Sequence, residues 1–213
     1  RLKRIGIGVR DSCTTVYRQK LLNKYKRVER KTFYTHYSPA LAQLVYHTNQ
    51  ISQNFYAETF LRMIALADGN YGSTSGGVGA VIKYFKEQGI NMHGFYMVDG
   101  SGVSRYDAVT PRFLCDMLCA YARDKKIFSY FYQSLPVSGE SGTLRRLGTD
   151  SLTLGKVHAK GGYMSRVSSL AGYVTAKNGH MYAFSIMFNN QEWDNDATRR
   201  KLEHLMLLLA QLN

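Results

Sequence analysis

Gly155-Lys156-Val157-His158-Ala159-Lys160-Gly161-Gly162 is the segment from which the architecture of the chain can be read. Residues 157–160, Val-His-Ala-Lys, read as a strand that ends at Lys160, before paired glycines. Residues 168–176 read as a second strand, followed by Asn178-Gly179. That dipeptide is the strongest short-range hairpin signal, because both central positions of a type I′ turn take positive φ. Residues 180–188 are apolar on both faces, as expected of a strand at the centre of a sheet. Leu202, Leu205, Met206, Leu209 and Leu212 then recur at helical spacing and define an amphipathic helix that should pack across the sheet.

Upstream the pattern changes to helices. Ile5-Gly6-Ile7-Gly8-Val9 suits a strand, and a basic amphipathic helix is expected over about residues 14–28. Ser38-Pro39 gives an N-cap with proline at the first helical position, continued by Leu41, Leu44, Val45 and Thr48. A further helix is expected to begin at Ser52 and to carry Phe55, Tyr56, Phe60 and Met63 inward. Residues 69–79 read as a glycine- and serine-rich loop; it holds no Gly-Lys-Ser/Thr and so is no phosphate-cradling loop. Val78, Ile82 and Phe85 mark a helix closed by Gly89, and Asp99-Gly100-Ser101-Gly102-Val103-Ser104-Arg105 reads as an ordered loop. Thr110-Pro111 caps a helix through Leu114, Leu118 and Tyr121. A helical region over about 14–125, then an antiparallel sheet with a covering helix over about 150–213, is an α+β arrangement.

Composition bounds the function. With 213 residues and 45% hydrophobic content, the chain can bury a core as one large domain or two small ones. The strongest apolar run, Leu202 to Leu209, is broken by Glu203 and His204, so no segment could span a bilayer as a helix. The opening Arg1-Leu2-Lys3-Arg4 has neither a methionine nor a secretory signal, as expected of a chain whose N-terminal part has been removed. A net charge of +13 favours anionic partners: nucleic acid, acidic lipid headgroups at a membrane surface, or an acidic polymer. Lys24, Lys26, Arg27, Arg30 and Lys31 cluster beside Tyr25 and Phe33, but no nucleic-acid recognition motif accompanies them, and a solvated helix end accounts for the cluster. Three cysteines argue against a disulfide framework; Cys115 and Cys119, four apart on one helix face, read as buried small apolar residues.

The chemistry concentrates in two places. Lys160 in a cleft can hold a carboxylate by charge or lower the pKa of a neighbouring hydroxyl. The glycines after it clear the strand edge for an added strand of substrate backbone, and backbone N–H groups there can stabilise an oxyanion. Taken alone, Lys-Gly-Gly reads as a surface lysine ending a strand before a glycine turn. Ser52-Gln53-Asn54 is either a plain helix N-cap or a pair of short polar groups able to pass a proton and donate to a substrate carbonyl.

The context joins these two places. Ser52-Gln53-Asn54-Phe55-Tyr56-Ala57-Glu58, Asp99 to Tyr106, Thr110-Pro111-Arg112, Leu135-Pro136-Val137-Ser138-Gly139, Gly142-Thr143-Leu144-Arg145 and Gly155 to Gly161 follow one another in a single order. In this, the chain resembles the C-terminal part of the low-molecular-mass penicillin-binding proteins that act as D-alanyl-D-alanine carboxypeptidases and endopeptidases. The resemblance runs from about Arg4 to Leu209. It implies part of the penicillin-binding-protein/β-lactamase-like transpeptidase fold, an extracytoplasmic or periplasmic location, peptidoglycan peptides and β-lactam antibiotics as partners rather than nucleic acid, and no metal or organic cofactor. Peripheral contact with a membrane surface is compatible with the charge.

Residue by residue, Ser52 and Asn54 match the family's Ser-x-Asn, and Lys160 the lysine of its Lys-Thr-Gly. Gly161, Gly162 and Tyr163 fall where substrate is bound, with a backbone N–H at Tyr163 contributing to the oxyanion hole. The implied reaction is attack by an activated serine on a D-Ala-D-Ala peptide bond, then hydrolysis of the acyl-enzyme. The sequence departs from the pattern twice. No Ser-x-x-Lys, the family's nucleophile element, occurs among the 213 residues, so this chain alone is expected to be inactive. Gly161 replaces a threonine whose hydroxyl would bond the substrate's terminal carboxylate, a loss of about 1.5–3 kcal/mol that a water can partly recover. A non-catalytic homologue that binds cell-wall peptides is the alternative. His158 could line the cleft or pack in the sheet, whereas Asp99, Ser101 and Ser104 are expected to brace the cleft.

Overall fold

The computed structural model describes residues 4, 6, 8, 14–26, 31, 32, 34–191 and 195–213. The chain divides into two compact units, Arg1–Ser38 and Pro39–Asn213. In the first, α1 (Val16–Leu21) starts where Thr15 accepts from the Arg18 N–H, and Asn23 at φ 53° follows its end. It is shorter than the helix expected over 14–28; the far end of that expectation, Val28, lies outside the described residues, as do Ile5, Ile7 and Val9 of the expected strand and Arg27, Arg30 and Phe33 of the basic cluster.

The second unit opens with α2 (Leu41–Ile51) and α3 (Asn54–Ala67). Helix α2 begins three residues after Ser38, with Ala40 as an N-cap that makes no side-chain bond. Helix α3 buries Leu61 and Ala65 on one stripe. Phe55 and Met63, expected inside, are exposed, because their positions fall on the opposite side of the helix from that stripe. Helix α4 (Thr74–Glu87) starts inside the segment expected to be a loop: Ser73 accepts from the Gly76 N–H, and Gly77 lies so close to α3 that a β-carbon there would stand 2.1 Å from the Leu61 carbonyl oxygen. Close packing here overrides the low helix propensity of glycine. Helix α5 (Pro111–Arg123) has the expected Thr110 cap, which accepts from the Phe113 N–H. Helix α6 (Phe128–Ser134) was not legible in the sequence pattern.

Three antiparallel strands follow in the order β1 (Val157–Met164), β2 (Val167–Thr175) and β3 (Met181–Asn189). Two expectations need correction here. Strand β1 runs through Gly161, Gly162 and Tyr163 instead of stopping at Lys160. Among the described residues β2, not β3, is the central strand. The β2–β3 turn is present, but of Asn178 and Gly179 only the glycine has positive φ, at 81°. The Ala176 carbonyl accepts from the Gly179 N–H and the Ala176 N–H donates to His180, which makes a three-residue loop in place of a type I′ turn.

Helix α7 (Asn195–Ala210) covers one sheet face, where Leu202, Met206 and Ala210 pack on Val157, Ala159, Leu170, Val174 and Phe184. The other face meets α5 and α6 through Tyr173, Leu118 and Leu135, and the buried Tyr173 hydroxyl donates to the Leu118 carbonyl. A separate helical core joins Phe85, Ile90 and Phe113, with Phe95 stacked on Phe113 at 4.4 Å. Cys115 is half-buried and Cys119 exposed, so they are not the buried pair expected. Among the described residues no helix is long and apolar enough to cross a membrane.

Candidate active site

Side chains alternate along β1, so His158, Lys160 and Gly162 share the face turned to the helices, while Val157 and Ala159 turn to α7. The outer edge of β1 is occupied at its start: Ala159 N–H donates to Pro136, and Ser138 N–H to the Val157 carbonyl. Ser138 is wholly buried; its hydroxyl donates to the Thr153 carbonyl and accepts from the Val157 N–H. The segment 136–138 therefore pins the strand just before Lys160 and leaves the edge beyond it without this cover.

Across from Lys160, the chain turns between α2 and α3. Ser52 holds the left-handed conformation, φ 56° and ψ 54°, and closes α2 through its N–H to the Thr48 carbonyl. It is not the N-cap of α3; Gln53 takes that position without a side-chain bond. The end of α2 is fixed from below. Gln50 is buried and donates to the Ser134 carbonyl, Asn49 donates to the Ser134 hydroxyl, and Gly142 approaches so closely that a β-carbon would lie 2.6 Å from Gln50 Oε1. Asn49, Gln50 and Ser134 were missed as positioning residues. The signal for them was indirect, in the ordered motifs around Pro136 and Gly142 that they brace.

These two supports bring Lys160 and Ser52 together: Lys160 Nζ donates to Ser52 Oγ at 2.9 Å and to the Gly161 carbonyl at 2.6 Å. Burial pushes the Lys160 ammonium below the ordinary lysine value, so it gives up a proton more readily than a lysine in water. Asn54 is the first residue of α3 and exposed, two residues beyond Ser52. Gly161 is half-buried, Gly162 exposed, and Tyr163 exposed within the strand. Past Lys160, β1 reaches a cleft of about 740 Å3 whose lining includes Phe95, Met117, Met164 and Ser169.

His158 packs rather than faces the opening. Its ring stacks on Tyr132 at 4.0 Å and 18°, its Nδ1 is buried without a hydrogen-bond partner, and burial lowers its pKa. The glycine-rich loop is a brace, as expected. Asp99 accepts from the Gly102 and Ser104 N–H groups, and Glu58 of α3 accepts from those of Gly100 and Ser101, both at 3.0 Å. The arrangement offers a lysine–serine hydrogen bond beside an open strand edge, equipped for proton transfer and for binding a peptide backbone.

The sequence profile of the D-Ala-D-Ala carboxypeptidase 3 (S13) family matches residues 2–212. The penicillin-sensitive carboxypeptidase A of Dictyostelium discoideum is 31% identical over 181 residues, 81% of this chain and 34% of that protein. Carboxypeptidase DacB of Mycolicibacterium smegmatis is 34% identical over 158 residues, 72% of this chain and 34% of its own length. The chain thus spans about one third of the curated relatives it matches. Penicillin binding protein 4 (dacB) from Haemophilus influenzae, solved in complex with a β-lactam, superposes with a TM-score of 0.74 at 24% identity, over 80% of this chain and 41% of that one. The TLA-1 extended-spectrum β-lactamase superposes with a TM-score of 0.61 at 15% identity, over 80% and 63%. The fold is accordingly part of the penicillin-binding-protein/β-lactamase-like transpeptidase fold.

Proposed function

Because the chain belongs to the D-Ala-D-Ala carboxypeptidase 3 (S13) family, we propose that it is the C-terminal portion of a serine-type D-alanyl-D-alanine carboxypeptidase or endopeptidase acting on peptidoglycan stem peptides outside the cytoplasm. The observation that carries this reading is the 2.9 Å bond between Lys160 and Ser52, two residues 108 positions apart in sequence. In this reading a serine of a Ser-x-x-Lys element, outside these 213 residues, attacks the penultimate D-alanine carbonyl. Ser52 and Lys160 relay its proton to the leaving amine. The Asn54 amide orients the substrate, Gly161 and Gly162 line the bound peptide backbone, and the Tyr163 N–H supports the oxyanion. Water then releases the acyl group. β-Lactams acylate the same serine and stop there.

D-Alanine release from a peptide ending in D-Ala-D-Ala tests the proposal. The natural-length protein should release it, and Lys160→Ala should lower the rate by roughly a hundredfold or more. A second reading, a homologue that binds cell-wall peptides without cleaving them, is favoured by Gly161 in place of threonine. Peptide binding with no D-alanine release would select it.

A further inference from the structure

We propose that the first unit, Arg1–Ser38, is a docking module that seats α1 in the headgroup layer of an anionic phospholipid bilayer. The charge of the chain is concentrated in this unit. Residues 1–38 hold eleven lysines and arginines against Asp11 and Glu29, a net +9, whereas residues 39–213 carry the remaining +4. Each cation that reaches an anionic bilayer surface adds about a fivefold gain in partitioning. Among the described residues none of Arg18, Lys20, Lys24 and Lys26 is neutralised by an ion pair.

Charge alone does not choose between a bilayer and an acidic polymer; α1 does. Not one of its residues is buried. Tyr17 is 72% exposed, Leu21 65%, and Leu22 at the C-cap 55%. At 3.6 residues per turn Tyr17 and Leu21 share a face, and Arg18 and Lys20 flank that face on either side. Gln19, the half-buried residue of α1, lies on the opposite side. The side that protein partly covers is therefore the polar one, and the apolar one meets solvent, the reverse of a helix packed on a core. Apolar residues flanked by cations suit a helix lying in a headgroup layer. There a tyrosine ring sits at headgroup level, leucines enter the acyl boundary and long cationic stems reach the phosphates. A phosphate polymer in water offers Leu21 and Leu22 nothing apolar to enter. Tyr34 and Tyr37, also exposed, add two more amphipathic rings to the unit. A helix of six residues buries little apolar area, so binding needs charge and insertion together and is reversible.

Flotation of the natural-length protein with vesicles tests this, using phosphatidylcholine alone and phosphatidylcholine with about one third phosphatidylglycerol. The anionic vesicles should bind it at least about tenfold more strongly, and binding should fall steeply as salt rises from about 0.05 to 0.5 M. Arg18→Gln combined with Lys20→Gln should weaken binding to the anionic vesicles by roughly twenty-five-fold. Tyr17→Ser combined with Leu21→Ser should weaken it by roughly tenfold or more, with the charge unchanged. Both double variants should keep the parent's melting temperature. Equal binding to the two vesicles, or binding to neither, overturns the proposal. So does a serine variant that binds like the parent: with an unchanged melt the unit is a general polyanion site, and with a lowered melt the rest of the natural-length chain covers α1. A serine variant too unstable to assay leaves the glutamine variant and the parent's vesicle ratio to decide. Benzylpenicillin acylation without vesicles, followed in parallel, should be the same for parent and variants. A parent that binds anionic vesicles but forms no adduct removes the proposed function and keeps this inference, whereas a normal adduct without vesicle binding removes this inference alone.

Discussion

Ser52 is the residue on which geometry and chemistry conflict. A non-glycine residue at φ 56° and ψ 54° is strained by about 1–2 kcal/mol, and such strain persists where the surroundings over-determine it. Here Gln50 and Asn49 hold the helix end from behind and Lys160 holds the hydroxyl from in front. Ser52→Gly should therefore keep or raise stability, by up to about 1 kcal/mol in urea unfolding, while penicillin acylation of the natural-length protein falls. A variant destabilised by about 1 kcal/mol or more would show the strain argument to be wrong. His158 gives a pH prediction. Its folded-state pKa is lowered from 6.5 by burial, so between that lowered value and 6.5 the unfolded chain binds more protons. Stability is then fully present above 6.5 and declines as pH falls through the window below it. His158→Phe, which keeps the stack on Tyr132, should remove that acid-side decline in thermal melts; equal slopes for parent and variant would contradict it. Ser52 and Lys160, which the structure brings together, stand out in the sequence as chemistry-bearing types in ordered motifs. The left-handed backbone at Ser52 was not legible, since nothing in Gln50-Ile51-Ser52-Gln53 marks a turn by composition.

At the scale of elements, the β1–β2 pair places the lysine. Ala159 stands opposite Gly172, and the backbones approach so closely that a β-carbon at Gly172 would lie 2.5 Å from the Ala159 Cα. Gly172→Ala must push β1 outward, at a cost of about 3 kcal/mol, the upper end of ordinary overpacking. It should lower the urea midpoint and also slow acylation, because Lys160 is the next residue on the displaced strand. A change under about 0.5 kcal/mol would mean that the pair opens freely there. The same contrast explains which elements the sequence revealed. The Thr110-Pro111 cap and the strand expected over 168–176 were read from local sequence, and both are present. The start of α4 depends on Gly77 meeting Leu61, and the central position of β2 depends on pairing at both edges. Neither fact has a local trace. Apolar residues on both faces of 180–188 suggested a central strand, yet both faces are covered by helices, which hides an edge position from the hydrophobic pattern.

For the molecule as a whole, family membership and the lysine–serine contact both support the proposed function. Its +13 charge favours anionic partners, and its 213 residues span about a third of the curated relatives. In the proposed function these residues form one wall of a serine acyl-transfer site. Its most direct test is the intact mass of the natural-length protein after incubation with benzylpenicillin. One covalent adduct per chain is expected, on a serine outside the 213 residues, abolished by Lys160→Ala. Folded protein that forms no adduct at saturating drug would contradict it.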